Sequence, residues 1–461
     1  MPDPSSTRKP YFGLKGGWLT FWITIACATD MTLFGYDQGV FGGVIVTDDF
    51  LDVLHLDGKT SIISTVTAVY DVGCFFGAIA SMILGERLGR KKSILWGTII
   101  MSIGAILQIA AYGVPQMMVG RIVAGIGNGI NTATAPMWQG ETSQAKWRGK
   151  LVVIELIMCI AGYSLSTWMT FAFSFLSGPV TWRFPLAFQF NTTITAAVQY
   201  ERENNIPWRA GSQAMQQLAG INVTSYYLTT LLIESVGLSN RLARLLTACN
   251  SISYLLAGIL AIPNIERFGR RQILMICSLG QGICYLLITV LIRFNEMEEY
   301  GPKQKVASAS VAFFFCYYLF FGCGFQGIPW LLPVELNSLS MRTKGVSIAT
   351  ATNWAFNFMV VEITPIGIKA LGWKFYIIWT VFNFSFIPLI YFFYPETANR
   401  SLEDIDRFFI ENKGLFINSN PDATSANRPT RYIECELDIM NTQDKADAAH
   451  MEIAAEGRPE R

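Results

Sequence analysis

The segment GERLGRKK at residues 85–92 occurs a second time as IERFGRRQ at residues 265–272, 180 positions further along the chain. A second pair follows in the same order, because PMWQGETSQAKWRG at 136–149 is matched by PVELNSLSMRTKG at 333–345. Basic turns that recur only to anchor loops on one side of a membrane would explain one such pair. Two signatures repeated in register indicate instead that one unit has been duplicated.

The composition indicates a membrane protein. Of the 461 residues, 51% are hydrophobic and 15% are charged, whereas soluble domains carry about 25% charged residues. The net charge of +1 provides no long-range field that would attract nucleic acid. The two histidines, His55 and His450, lie far apart, and the nine cysteines include no C-x-x-C spacing. We therefore expect neither an enzyme nor a bound metal or cofactor.

The apolar segments predict a polytopic all-α protein, because a helix needs roughly 20 apolar residues to cross a bilayer. Eleven clear candidates lie at 18–45, 61–84, 93–112, 115–138, 151–177, 211–236, 245–264, 272–292, 306–333, 346–368 and 372–394. A twelfth, at 184–200, is weaker because Asn191 and three threonines interrupt it. With twelve spans and a cytoplasmic N-terminus, the inner loops hold fourteen Lys and Arg residues and the outer loops nine, which places both termini inside.

These segments divide the chain into five regions. They are a cytoplasmic N-terminal tail at 1–17, an N-terminal helix bundle at 18–200, a short cytoplasmic linker at 201–210, a C-terminal bundle at 211–394 and a largely disordered cytoplasmic tail at 395–461. Parallel halves of this kind place a substrate site between them near the middle of the bilayer.

Further motifs reinforce the two repeated ones. They are QQLAGIN at 216–222, GIPW at 327–330, NWAFNF at 353–358 and YPETANRSLEDID at 394–406. Together, over about residues 18–410, the motifs resemble the sugar porter branch of the major facilitator superfamily, in a fungal form. This resemblance implies two six-helix halves, a monomer in the plasma membrane, and transport of a hexose or related sugar by alternating access, with or without a proton.

The resemblance also implies a set of substrate-binding residues, namely Gln216, Gln217, Asn222, Trp330 and Asn353. An amide inside hydrocarbon needs hydrogen-bond partners, and sugar hydroxyls both donate and accept. The amides could instead pack between helices, and Trp330 could be an interfacial anchor. The chain departs from the family at Leu156, where a glutamine is common in the fifth span.

Ionisable residues within the spans suggest proton coupling, because each costs a few kcal/mol in a bilayer unless it is paired or hydrated. Asp37 lies in the first span and Arg121 in the fourth. The resemblance implies that these two form a pair that protonation of the aspartate breaks. In a facilitator that moves no proton, the same pair would be permanent. Asp30, Asp71 and Glu155 are further acids within spans, with no assigned role.

The repeated turns supply acids and bases on the cytoplasmic side of both halves. In the family such residues form ion-pair networks that close the inner gate, and the alternative is that they only set topology. The residues are Glu86, Arg87, Arg90, Glu141, Arg148, Glu266, Arg267, Arg270, Glu335 and Arg342.

One part of the family pattern is missing from the middle of the chain. WRFPLAFQF at 182–190 starts the sixth span normally, but the PESPR-like motif that should end it is absent. So is the central cytoplasmic stretch, roughly 60–80 residues in the family and far longer than ordinary connections. Nine residues, 201–209, then join the halves and can bridge about 30 Å when extended. This gap leaves two alternatives to transport: a truncated relic that no longer transports, or a sensor that binds sugar without moving it.

Overall fold

The computed structural model of the chain describes residues 17–188, 211–297, 303–337, 342–411, 417 and 421–434. All the regular elements in these ranges are helices. The N-terminal half contains α1 (Gly17–Val44), α2 (Asp48–Val53), α3 (Thr60–Ile109), α4 (Val114–Thr142), α5 (Ala145–Phe173) and α6 (Val180–Phe188). The C-terminal half contains α7 (Gly211–Leu218), α8 (Ile221–Glu234), α9 (Asn240–Arg267), α10 (Arg270–Glu296), α11 (Lys303–Phe320), α12 (Ile328–Leu336), α13 (Arg342–Leu371) and α14 (Phe375–Phe393), and α15 (Leu402–Glu411) follows it.

The repeated basic turn has the same backbone conformation in both halves. Gly89, inside the long helix α3, has φ 76° and ψ 161°, and Gly269, just before α10, has φ 84° and ψ 159°. Positive φ angles are strained for residues with a Cβ and favour glycine. The glycine common to both copies therefore turns the chain sharply at equivalent points, which agrees with a duplicated unit.

Two of the spanning segments in the C-terminal half are broken. Gly220, with φ 92°, separates α7 from α8, and a π-helical turn at Phe321–Phe325 separates α11 from α12. Near the first break, the hydroxyl of Tyr285 donates to the Gly220 carbonyl at 2.8 Å, and the hydroxyl of Tyr317 donates to the Ala219 carbonyl at 3.1 Å. Breaks in a membrane helix are tolerated when neighbouring groups satisfy the freed backbone in this way.

Helices α1 and α5 approach each other closely through glycines. A Cβ added to Gly35 would overlap the carbonyl oxygen of Cys159, and one added to Gly162 would overlap that of Thr32. Small residues allow this approach, which provides the packing that holds helices together inside a bilayer.

Seven helical stretches among the described residues are long and apolar enough to cross a membrane, and one of them, Arg342–Phe393, covers both α13 and α14. The remaining predicted spans coincide with α1, α4 and the broken pair α7–α8. These three carry Asp37, Arg121 and the QQLAGIN motif, respectively.

The sixth span is described only at its start. Helix α6 is attached to the N-terminal half, because the Nε1 of Trp182 donates to Asp49 Oδ2 at 2.8 Å and the hydroxyl of Tyr36 donates to the Pro185 carbonyl at 2.9 Å. The rest of the proposed span and the linker 201–210 lie outside the described residues.

The prediction of disorder from residue 395 onward is wrong for the first part of that tail. Helix α15 begins with a reciprocal cap, in which the Ser401 amide donates to Asp404 Oδ2 at 3.0 Å and the Asp404 amide donates to Ser401 Oγ at 3.1 Å. Glu396 is buried and accepts hydrogen bonds from the backbone amides of Arg270 and Arg271. Specific caps and a buried carboxylate thus order a segment whose composition alone is typical of disorder.

We predict that Gly35→Val destabilises the N-terminal half by about 1–3 kcal/mol or more, because the added side chain forces α1 away from α5. The measurement is the thermal unfolding temperature of the purified chain in detergent. Gly113→Ala is the matched control, since a Cβ there meets nothing closer than Pro115 Cδ at 3.8 Å. Equal unfolding temperatures for the two variants would contradict the close packing.

Candidate functional site

A cavity of about 40 Å³ lies between the two halves. All five predicted substrate residues line it, and α1 and α5 add residues from the N-terminal half. The lining includes Gln216, Gln217, Asn222, Trp330 and Asn353, together with Phe34, Gln38, Tyr163, Gln326 and Asn357. The predicted residues are therefore brought together at one point in the centre of the fold.

The amides of the cavity bond to one another. Asn353 is the centre of this network, because its Nδ2 donates to Gln213 Oε1 at 2.5 Å and to Gln216 Oε1 at 2.9 Å, while its Oδ1 accepts from Gln217 Nε2 at 2.9 Å. Asn222 continues the network by donating to Gln217 Oε1. The site thus presents both donors and acceptors, as a polyhydroxylated solute requires.

One amide from the N-terminal half joins this network. The Nε2 of Gln38, directly after Asp37, donates to Asn222 Oδ1 at 2.9 Å. The polar cavity is therefore shared between the halves, and its contacts must change if the halves move apart.

Aromatic rings form the apolar side of the cavity. Trp330 is 4% exposed, and its ring lies 6.4 Å from that of Phe34 in an edge-on arrangement. Trp354 packs on the other side of Phe34 at 5.6 Å. The position of Trp330 inside the bundle disfavours the alternative in which it anchors the protein at the membrane surface.

Leu156, which stands where the family commonly has a glutamine in the fifth span, has a neighbour from the other half. Leu156 is buried, and its carbonyl accepts a hydrogen bond from Gln326 Nε2 at 3.5 Å. Gln326 lines the cavity and accepts a hydrogen bond from the hydroxyl of Tyr254. An amide is thus present beside the position where the chain departs from the family.

Contacts between the halves lie at the helix ends opposite to the repeated turns. Thr65 Oγ1 donates to Glu362 Oε1 at 2.9 Å, and Lys369 Nζ donates to Thr60 Oγ1 at 2.5 Å. Arg244 Nη2 also donates to the Val46 carbonyl at 2.7 Å.

Contacts between the halves also lie on the side of the repeated turns. Arg90 Nη2 donates across the halves to Thr343 Oγ1 at 2.9 Å. Gly140 on α4 packs so closely against Val334 on α12 that an added Cβ would overlap the valine side chain. The two halves are thus in contact on both sides of the cavity, whose volume of about 40 Å³ has room for roughly three water molecules.

The predicted coupling residues lie in one buried cluster. Asp37 is 2% exposed and Arg121 is 1% exposed. The Arg121 guanidinium carbon lies 3.7 Å from the centre of the Phe41 ring, and Nη2 donates to the Thr67 carbonyl at 2.8 Å. Asp71, to which the sequence gave no role, is buried beside them, since the Arg121 guanidinium carbon lies 4.9 Å from the centre of the ring of the preceding residue, Tyr70.

The acids and bases of the repeated motifs form equivalent pairs in the two halves. Arg90 binds Glu141 through Nε at 3.1 Å and Nη2 at 3.0 Å. In the second copy, Arg270 binds Glu335 at 3.0 Å and Glu266 at 2.6 Å.

The remaining predicted arginines fall into two groups. Arg148 Nε donates to the Gly140 carbonyl at 3.0 Å and Arg342 Nε to the Val334 carbonyl at 2.9 Å, in each case eight residues back. Arg87 and Arg267, by contrast, have exposed side chains, and their part in the ion pairs stays a prediction. In each copy a positive-φ glycine separates this exposed arginine from the buried one that follows it. The side chain of Glu86 lies outside the described residues.

The segment after the last span extends the network of the C-terminal half. Thr397 Oγ1 donates to Glu335 Oε2 at 2.7 Å. Arg400 is buried nearby; burial lowers the pKa of its guanidinium, and the carboxylate of Glu396 acts against that shift. These residues belong to the PETANR motif at 395–400. The sequence identified the motif, but residue spacing alone could not predict which side chains it contacts.

Two other acids lie buried in the N-terminal half. Asp30 Oδ1 accepts from Asn131 Nδ2 at 2.6 Å. Glu155 is completely buried, and neither of its carboxyl oxygens has a hydrogen-bond partner among the described residues.

Comparison with known protein families agrees with this arrangement. The profile of the family described as sugar (and other) transporter matches residues 22–199 and 207–409. The chain is 52% identical to the MFS-type transporter oryC of Aspergillus oryzae, over 93% of this chain and 92% of that protein. It is 30% identical to the sugar transporter STL1 of Saccharomyces cerevisiae, over 96% of this chain and 89% of that protein.

These alignments also bear on the missing segment. The alignment with oryC runs over 499 residues, whereas 93% of this chain is about 430, so about 70 aligned positions have no counterpart here. The interruption of the family match at residues 200–206 falls where the central stretch was expected.

A solved structure shares the fold. The proton:xylose symporter XylE of E. coli superposes with a TM-score of 0.73 at 19% sequence identity, covering 86% of this chain and 100% of that one. At this level of identity the likeness concerns the fold, the two-bundle arrangement of the major facilitator superfamily.

Proposed function

The chain belongs to the sugar (and other) transporter family, and from this premise we propose that it moves a hexose or a related sugar across the plasma membrane by alternating access. The observation that carries the proposal is the amide network around Asn353, which lies between the halves beside Trp330. Amides recognise hydroxyls, and an aromatic ring packs against the apolar face of a sugar ring. The relatives whose names mention sugars, STL1 among them, support the same substrate class.

Transport requires that the closed cavity open to each side in turn. In the present state it has room for roughly three waters, so a sugar enters only when the halves separate. The contacts on the outer side are few and polar, and exposed contacts of this kind contribute about 0–1 kcal/mol each. A substrate can therefore shift the balance between open and closed states with modest binding energy.

We propose that both termini are cytoplasmic, as the charge count favours, and that the chain acts as a monomer in the lipid bilayer, as the family resemblance implies. Large apolar side chains on the outside of the bundle, such as Trp96, Ile103 and Leu260, are about half exposed in the isolated chain. Such residues are suited to contact with lipid.

We predict that Gln217→Ala raises the sugar concentration for half-maximal uptake about tenfold, because it removes a hydrogen-bonding amide worth about 1 kcal/mol or more. The measurement is uptake of labelled glucose by yeast that lacks its own hexose carriers and expresses the tagged chain at its surface. Gln108→Ala is the control, since that buried amide bonds to the Gly120 carbonyl away from the cavity.

The same experiment distinguishes the alternatives. Retention of the parent chain in internal membranes would indicate that the missing segment prevents folding. Surface expression with sugar binding but no uptake would indicate a sensor. Unchanged half-saturation for Gln217→Ala would place the substrate site elsewhere.

The ion pairs and the contact between Arg90 and Thr343 are proposed to form the inner gate. The bond from Arg90 to Thr343 joins the two halves next to the close packing of Gly140 against Val334, and the ion pair with Glu141 holds Arg90 in place. Loss of the contact should therefore favour the inward-open state.

We predict that Thr343→Val increases inner opening about tenfold, because a hydrogen bond to a charged group is worth about 1.5 kcal/mol or more. The readout is the rate at which a cysteine introduced at Val334, which is buried in the closed state, reacts with an impermeant maleimide in inside-out vesicles. Thr352→Val is the matched control, since its hydroxyl bonds only to the Ile348 carbonyl of the same helix. Equal rates of maleimide labelling in the two variants would contradict the proposed role of this contact in the inner gate.

Proton coupling is proposed to act through Asp37 and Arg121. The two side chains are buried in one cluster, where a charge is costly unless it is compensated. Binding of a proton to Asp37 would release the guanidinium and permit the halves to rearrange.

We predict that Asp37→Asn abolishes accumulation of sugar against its gradient while sugar exchange continues, because a permanently neutral residue carries no proton. The measurements are uphill uptake driven by an imposed pH gradient and counterflow in proteoliposomes. Accumulation by the variant equal to that of the parent would mean that Asp37 and Arg121 form a permanent structural pair.

A further inference from the structure

Asp71 forms a direct hydrogen bond between the two halves. It lies on α3 of the N-terminal half and is completely buried, and its Oδ1 accepts from Asn357 Nδ2 at 3.1 Å. Asn357 lies on α13 of the C-terminal half and is also completely buried. In contrast to the contacts on the outer and inner faces, this bond lies at the level of the cavity, because Asn357 lines it.

Asp71 also faces the proposed proton site. The Arg121 guanidinium carbon on α4 lies 4.9 Å from the centre of the ring of Tyr70, the residue directly before Asp71. Tyr70 and Cys74 flank it on its own helix, and Tyr226 and Tyr227 face it from α8. Tyrosine and cysteine are neutral between pH 5 and 7.5. The carboxyl groups around this bond are therefore Asp71, Asp37 and Glu362, which lies on α13 and accepts a hydrogen bond from Thr65.

The bond between Asp71 and Asn357 thus connects the proposed proton site with the cavity, and in coupled transport these two sites must influence each other. On one side, Asp71 lies next to Tyr70, against which the buried guanidinium of Arg121 packs. On the other side, Asn357 lies one helical turn after Asn353, the centre of the amide network, so both amides face the same cavity.

We propose that Asp71 is a positioning residue through which proton binding controls the sugar affinity of the cavity, by way of Asn357; the proposal rests on the function proposed above. A charged carboxylate accepts a hydrogen bond roughly twice as strong as a neutral one. While Asp71 is charged, it holds the Asn357 amide away from the solute. When a proton from the outer solution binds to Asp71, that hold weakens and the amide turns to a sugar hydroxyl.

Linkage makes the effect reciprocal. If a proton on Asp71 strengthens sugar binding, then sugar binding strengthens the binding of the proton by the same factor. Sugar and proton would then be bound together and released together, as coupled transport requires. The sign is fixed: sugar affinity is higher at acidic pH and falls as the proton leaves Asp71.

The test is equilibrium binding of labelled glucose to the purified full chain in lipid nanodiscs at pH 5.5 and pH 7.5. We expect the parent chain to bind about tenfold more tightly at the lower pH, within the usual range of coupling between sites. Asp71→Asn, which resembles the protonated form, should bind with nearly the parent's acidic affinity at both pH values. Asn357→Leu should weaken binding and remove the pH dependence, and the double variant should match Asn357→Leu alone.

Asp30→Asn is the matched control, because that buried acid bonds to Asn131 within the N-terminal half and does not line the cavity. It should keep the pH ratio of the parent. A pH ratio in Asp71→Asn equal to that of the parent, or lost equally in Asp30→Asn, would overturn the proposal, as would pH-independent binding by the parent. Absence of any sugar binding by the parent would instead overturn the proposed function, and the inference would fall with it.

Discussion

The need to satisfy polar groups in a medium without water governs this structure. Helices meet that need for their own backbone, but each break and each polar side chain inside the bilayer requires a further partner. At Gly220 the freed carbonyls are bonded by tyrosines from α10 and α11. In the cavity the amides bond to one another around Asn353. The segments that depart from regular apolar helix are therefore the segments that form the site.

The duplicated halves share their basic turns but differ in what they contribute to the centre. The arginine pairs and the positive-φ glycines are equivalent, as Arg90 with Glu141 and Arg270 with Glu335 illustrate. In the centre the N-terminal half supplies buried acids and the amide of Gln38, whereas the C-terminal half supplies most of the amides. One repeated scaffold thus carries different polar groups in its two halves, and Asp71 and Asn357 lie where the halves meet.

Much of this arrangement could be predicted from the sequence, because the motifs are local. Gln216, Gln217, Asn222, Trp330 and Asn353 were all expected at the substrate site, and all line the cavity. Gln38, Gln326 and Asn357 were missed, since their positions depend on how far each helix is rotated toward its neighbours. The order of the segment after residue 395 was missed for a similar reason. A polar composition is typical of disorder, and only the fold reveals that Glu396 caps the start of α10.

The mutual bonding of the cavity amides has a consequence for how firmly a solute is held. An incoming hydroxyl replaces a hydrogen bond that already exists, such as the one between Gln217 and Asn353, so the gain is the difference between two similar bonds. A pocket of this kind favours rapid release over capture from dilute solution.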